Sequence, residues 1–318
     1  MIPASLVRVL ALPLLLTVAS ASWGQAETPK PPETPTPAPS PAPAVTPAVP
    51  PLPAPPIIPP APPPIVRIPD KGDFKVVYEK PKNPEYRELQ QIFKETQLLE
   101  ETVKALNETI ALPADVTVSL RECGASDAPY EPDKRRISIC YELIDTLSDL
   151  FTADASSEED LQQAGIAVAG ATLFIFFHQA GHALIRLDGL TIPGGEEEEA
   201  DQLATLVLLD SGREGEKAAM DGASTFLNLE KDPKAQALLA KMPFWSAHAL
   251  DPQRFATIIC WIYGKNPTDF LDLVEDGTLS EERAAQCPAE YERMAKAWET
   301  PLAPYLKGGP PSPPPPTP

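Results

Sequence analysis

The spacing of apolar side chains divides residues 70–308 into an ordered series of helices and short strands. Between Pro84 and Ile110, Leu89, Ile92, Phe93, Leu98, Leu99, Val103 and Leu106 recur at helical intervals among charged residues, which predicts one amphipathic surface helix. Val116, Val118 and Leu120 then alternate with polar residues, the period of a half-buried strand, and Ile137 and Ile139 repeat that alternation within Arg136–Cys140. A turn-rich loop from Gly124 to Lys134 separates the two runs, so they are expected to pair as a hairpin. Tyr141 to Phe151 reads as a helix. The next helix is expected to begin at Ser156 or Ser157, with Glu158 and Glu159 placed favourably against its dipole. It is nearly all apolar from Gly165 to Phe177 and ends at Asp188-Gly189. Glu196 to Asp210, acidic at its start and apolar afterwards, predicts another helix. Further helices are expected over Glu216–Leu229, Asp251–Tyr263, Thr268–Val274 and Ser280–Trp298. This order of elements is that of an α+β domain, mostly helical with a small hairpin or sheet.

The flanking segments have a different composition. Residues 1–26 carry Arg8, an apolar run from Val9 to Val18 and an Ala19-Ser20-Ala21 cleavage pattern, with Ala26 as a second possible cleavage point. They are expected to be a secretory signal, cleaved or kept as an anchor. Residues 27–69 are dominated by Pro, Ala and Thr, and residues 309–318 by Pro. Proline fixes φ and removes a backbone donor, so both tracts are expected to be disordered, extended spacers around the single domain at 70–308. Apart from the signal, no membrane span is expected: the Gly165–Phe177 run falls short of the about 20 apolar residues needed and reads as a buried core helix. The net charge of −19 argues against a nucleic-acid partner. Four cysteines in an exported chain suggest two disulfides in a secreted or periplasmic protein. Proximity along the chain favours Cys123–Cys140 and Cys260–Cys287, although four cysteines allow three connectivities.

The candidate chemistry lies in the most strongly helical segment, His178-Gln179-Ala180-Gly181-His182. Residues i and i+4 share a helix face, so both imidazoles can address one metal ion. A hydrolytic zinc site needs a third protein ligand and an open position. The acidic run Glu196-Glu197-Glu198-Glu199 follows a short loop, and Glu197 and Asp201 are again four apart. One carboxylate, Glu197, is then the expected ligand, and Asp201 the expected acceptor for a histidine's remote N–H. Glu196 and Glu198 remain alternatives to Glu197. The chain has three histidines, and two of them occupy this pair of positions.

FFHQAGHALI followed by GGEEEEADQLATLVLL resembles the bacterial exported "putative metallopeptidase" family, whose pattern is F-H-E-x-G-H-A-L-I and then G-R-E-E-D-x-A-D-Q-x-A. The likeness continues through Glu122–Leu143, His248–Gly264 and Arg283–Trp298. The resemblance implies a zincin-like fold, zinc as cofactor, and a peptide or protein as substrate or ligand. It also implies that the residue after the first histidine is a glutamate, which accepts a proton from the attacking water. Gln179 stands there instead, and an amide cannot serve as a base. Asp127 and Pro129 stand where an asparagine and an aromatic are expected, and Gly195 replaces the arginine. His248 could donate to a developing oxyanion or could simply cap or pack the helix that begins at Asp251. Arg254 is expected to pair with a carboxylate. The leading expectation is a zinc-binding metallopeptidase homologue with weak or lost hydrolysis. Its rivals are an active enzyme using another acidic base and a non-enzymatic peptide-binding module of the cell envelope.

Overall fold

The computed structural model describes residues 66–190, 195–231 and 252–307. The expected signal, residues 27–65 of the expected spacer, residues 308–318 and His248 lie outside the described residues. Within them the protein is α+β, mostly helical with one small sheet.

The sheet contains β1 (Phe74–Tyr78), β2 (Val116–Arg121), β3 (Tyr130–Glu131) and β4 (Arg136–Cys140), in the order β1-β2-β4-β3. The expected hairpin of 116–120 with 136–140 is corrected here: β2 and β4 pair in parallel, with Val118 opposite Ile137 and Leu120 opposite Ile139. The return pass is made by β3, which runs antiparallel along the outer edge of β4 and turns into it through Pro132–Lys134. The hairpin is therefore β3–β4, and β4 inserts between β3 and β2. Both faces of the central strands are covered, as is usual for parallel pairs. Ser119 and Ser138 are buried opposite each other, and their hydroxyls donate to Glu79 and Glu131 at 2.9 and 3.3 Å.

Between β1 and β2 the chain forms α1 (Glu85–Thr96) and α2 (Leu98–Thr109), not the single helix that the periodicity predicts. Gln97 adopts a left-handed conformation with φ of 52° and reorients the second helix. Leu89, Ile92 and Phe93 on one helix and Leu99, Val103 and Leu106 on the other then all reach the core. Apolar spacing continues across the break, which is why the pattern concealed it. Asn107, part of a glycosylation sequon, uses its amide to bond both the N–H and the carbonyl of Phe74, at 2.8 and 2.9 Å.

The longest helix is α4 (Glu158–Asp188), which follows α3 (Tyr141–Thr152). Ser157 and Asp160 form a reciprocal capping box at its start, and Gly189, with φ of 66°, ends it in the left-handed region. It is long and apolar enough to cross a membrane, yet 89% of its most apolar window is buried within the protein. It packs against α3, α5 (Glu196–Asp210) and α6 (Arg213–Lys231), the arrangement of a core helix.

The last described elements are α7 (Pro252–Lys265), two single turns α8 (Asp272–Glu275) and α9 (Glu281–Ala284), and α10 (Cys287–Leu302). The expected helices at 268–274 and 280–298 are accordingly shortened and divided. Cys123 and Cys140 stand at disulfide distance, joining the exit of β2 to the end of β4, and Cys260 and Cys287 join α7 to α10. Trp298, fully buried, donates its indole N–H to Gln202 at 2.9 Å and so ties α10 to α5.

Candidate metal centre

His178 and His182 lie one helical turn apart on α4, both buried, with ring centroids separated by 4.8 Å. Gly181 lies between them and faces α5. A methyl group on it would meet Ala200 Cα at 3.0 Å, so the missing side chain lets the two helices approach closely beside the histidines. Four consecutive glutamates at the start of α5 point in four directions, because each residue turns the helix by about 100°.

Only Glu197 of this run reaches the inner nitrogens of both rings. Its oxygens lie 3.5 Å from His178 Nε2 and 3.4 Å from His182 Nε2, and those nitrogens are 3.1 Å apart. Glu196 turns to the outer side, where its Oε1 lies 3.0 Å from His182 Nδ1. Glu198 is exposed and accepts from Gln202 at 3.2 Å, and Glu199 is buried. Asp201, one turn beyond Glu197, lies 2.8 Å from His178 Nδ1. Each histidine thus has a carboxylate behind it and its Nε2 turned towards Glu197. His178, His182 and Glu197 form a group of side chains able to hold one metal ion.

A second pair of charges stands behind the carboxylates. Arg254, from α7, binds Asp201 through Nε and Nη2, both at 2.7 Å, and its guanidinium lies 4.7 Å over the Phe226 ring. Arg186, one turn beyond His182 on α4, binds Glu196 through Nε at 3.0 Å and Nη2 at 2.6 Å. Two chains of the form guanidinium–carboxylate–imidazole therefore converge from opposite sides. Burial pushes the Asp201 carboxyl up, but the bonds to His178 and Arg254 outweigh it and hold Asp201 below the ordinary carboxylate range. Glu196 is likewise held low: His182 and Arg186 together outweigh its burial. Anionic partners of this kind keep each Nδ1 protonated and turn each Nε2 to the centre; burial opposes a charge on His178, but Asp201 and Glu197 outweigh it and hold its pKa above the ordinary histidine range.

Gln179 is buried, and its Oε1 accepts from the backbone N–H of Tyr130, on edge strand β3, at 2.8 Å. Asp127 and Pro129 hold the start of the same edge, their carbonyls accepting from Cys140 and Ser138 at 3.2 and 2.9 Å. Gly195 is the residue before α5, and a side chain there would meet open space.

The structure brings together His178, His182, Glu197 and Asp201, turns Gln179 to Tyr130 of β3, and gives Arg254 the expected carboxylate partner. The roles of Glu196 and Arg186 were missed in the sequence. Arg186 could have been found, since it lies four residues after His182 and on its face; Glu196 was obscured by its three glutamate neighbours. No curated protein and no solved structure matches the chain. A family model described as "Putative metallopeptidase" matches residues 78–302, a span that holds the sheet from the end of β1, the paired histidines and the acidic helix, and the chain belongs to that family.

Proposed function

We propose that the protein is a zinc-binding, zincin-like metallopeptidase homologue whose peptide-bond hydrolysis is weak or lost. His178, His182 and Glu197 are its metal ligands, and Asp201 and Glu196 orient the two rings. The observation carrying this reading is the convergence of two imidazole Nε2 atoms and one carboxylate. With both Nδ1 atoms donating to carboxylates, the two Nε2 atoms face each other at 3.1 Å beside the Glu197 carboxylate, an arrangement that a metal ion would satisfy through all three side chains where a shared proton would satisfy only the two rings. The spacing suits zinc. Ligands about 2.05 Å from a tetrahedral ion lie about 3.3 Å from one another; the two Nε2 atoms are 3.1 Å apart, and each has its own Glu197 oxygen near that distance, Oε2 at 3.5 Å from His178 and Oε1 at 3.4 Å from His182. Two nitrogens, one oxygen and an open fourth position form the donor set of hydrolytic zinc sites.

Bound zinc would supply Lewis-acid stabilisation to a peptide carbonyl. The protein's own groups supply less. Gln179 takes the position of the family's general base, and a neutral amide with Oε1 already engaged by Tyr130 cannot take up a proton. General-base assistance is worth roughly 10²–10⁴-fold, and this is the deficit proposed for the native protein. The two cysteine pairs at disulfide distance support an oxidising, secreted or periplasmic setting, with residues 1–26 as export signal and the Pro-rich residues 27–69 as a spacer to the domain.

Metal analysis combined with turnover of a peptide library tests the reading. Close to one zinc per chain with little or no turnover is expected. Zinc with rapid turnover would favour an active enzyme, and absence of metal would favour a binding module.

A further inference from the structure

We infer that Gln179 is an autoinhibitory plug against strand docking: its side-chain oxygen takes the place that the backbone carbonyl of an extended peptide would occupy on the outer edge of β3. The inference does not depend on a metal ion. It begins with the alternation of backbone groups along the strand. The carbonyls of Asp127 and Pro129 accept from Cys140 and Ser138, so the backbone groups of these residues face β4. Those of Ala128 and Tyr130 therefore face away from the sheet, where a further strand would pair. Their N–H groups are both taken by side chains: Ala128 donates to Asp127 Oδ1 and Tyr130 to Gln179 Oε1, each at 2.8 Å. Pro132, which follows the strand, has no N–H to offer.

Asp127 belongs to the strand's own segment, whereas Gln179 is brought to it by α4. The Tyr130 N–H can only donate, so the Gln179 atom facing it is the oxygen. Gln179 Nε2 has no partner among the described residues, so the amide serves the strand through its oxygen alone. Both residues of β3 are half-buried, which leaves the strand within reach of a ligand. A peptide that adds itself as a strand needs edge donors for its carbonyls. At Tyr130 it must first displace Gln179, whose oxygen would then lie buried without its donor. The opposite edge uses the same device, since the Asn107 amide bonds both backbone groups of Phe74 on β1. Side-chain amides thus stand in for a neighbouring strand at both edges of the sheet.

Fluorescence anisotropy of a labelled hexapeptide of alternating threonine and valine tests this on the full-length protein, with a chelator present so that metal plays no part. Circular dichroism and hydrogen exchange of the Tyr130 amide, followed by NMR, are measured on every variant. Gln179→Met removes the acceptor at nearly constant length. It should speed exchange at Tyr130 at least about tenfold and tighten peptide binding about three- to tenfold, the worth of one net hydrogen bond. Gln179→Ala, which removes the acceptor without bulk, should behave in the same way. Gln179→Glu keeps an oxygen at the strand and should exchange and bind as the native protein does. A hexapeptide N-methylated at alternate residues cannot pair as a strand and should gain nothing from either opening variant. Unchanged exchange at Tyr130 in the folded methionine and alanine variants would overturn the plug. So would a freed Tyr130 amide with native peptide affinity, or an equal gain for the methylated peptide. Each of these results is independent of zinc uptake, so the metal reading stands or falls separately.

Discussion

Gly181 and Ala200 are in contact where α4 crosses α5, and the backbone of one helix fills the space that a side chain on the other would need. This contact sets how closely Glu197 approaches the two histidines. Gly181→Ala should weaken zinc binding by at least about tenfold by moving α5 outward. Its effect on stability should be small, because overpacking costs about 1–3 kcal/mol and alanine regains about 1 kcal/mol of helix propensity. Thermal melts with and without zinc separate the two effects: the melting temperature without metal should change little and the zinc-induced rise should shrink. An undiminished rise would show that the crossing does not set the site.

The acidic run provides a graded test of the ligand assignment. His182→Ala should abolish zinc binding, and Glu197→Ala should reduce it strongly. Asp201→Asn and Glu196→Gln should cost about 10–100-fold through loss of ring orientation. Glu198→Ala should have little effect, since that side chain is exposed and faces Gln202, and Glu199→Ala should likewise leave the ligands in place. Equal losses for all four glutamates, measured by competition with a zinc chelator, would defeat the assignment.

The two arginines should differ in stability although both bind carboxylates through two nitrogens. Arg254 is 14% exposed and its partner Asp201 4%, whereas Arg186 is 56% exposed. Removing Arg254 leaves a buried carboxylate short of a cation, so Arg254→Ala should destabilise by about 3 kcal/mol. Arg186→Ala breaks an exposed pair and should cost less than about 1 kcal/mol. Urea unfolding of the metal-free proteins gives both values, and equal losses would contradict the burial argument.

Gln179→Glu asks whether one side chain silences hydrolysis. The carboxylate restores a base in nearly the same volume, but the Tyr130 N–H would hold one of its oxygens and lower its basicity. The expected gain in turnover is therefore about 10²-fold, the low end of general-base contributions, with zinc affinity almost unchanged. Single-turnover peptide hydrolysis by the zinc-loaded pair measures it. A native protein as fast as the variant would refute the proposed loss of activity.

Asp221, away from the metal centre, makes stability depend on pH. Its carboxyl lies between α6 and Gly170 of α4, with one oxygen enclosed and unpartnered among the described residues. Burial raises it to about 6, with Glu214 adding to the shift and Lys217 opposing it. The folded state then binds the proton more tightly than the unfolded chain does. Stability from this group is complete below about pH 4 and is lost as pH rises through about 6. Asp221→Asn should therefore stabilise by about 2 kcal/mol at pH 7 and by almost nothing at pH 4. Denaturant midpoints across that range check the prediction; a gain independent of pH would point to a packing effect.

Local chemistry was legible in the sequence. Ser157 and Gly189 as ends of α4, the shared face of His178 and His182, and the spacing of Glu197 and Asp201 all follow from 3.6-residue periodicity and cap preferences, which act within a few residues. The proximity of the cysteines along the chain likewise favoured the pairs that the fold brings together. Tertiary structure decided the rest, because it depends on partners distant along the chain. Alternation in β2 and β4 is the same for parallel and antiparallel pairing, so only the placement of β3 makes them parallel. The apolar stripe of 84–110 continues through Gln97, so only the core that both halves must reach reveals the break. Gln179 is separated from Tyr130 by 49 residues and Asp201 from Arg254 by 53, and no local pattern records either hydrogen bond. Four successive glutamates look alike in sequence; their roles diverge only when Ala200 packs on Gly181, which brings Glu196 and Glu197 to the two imidazoles and leaves Glu198 exposed.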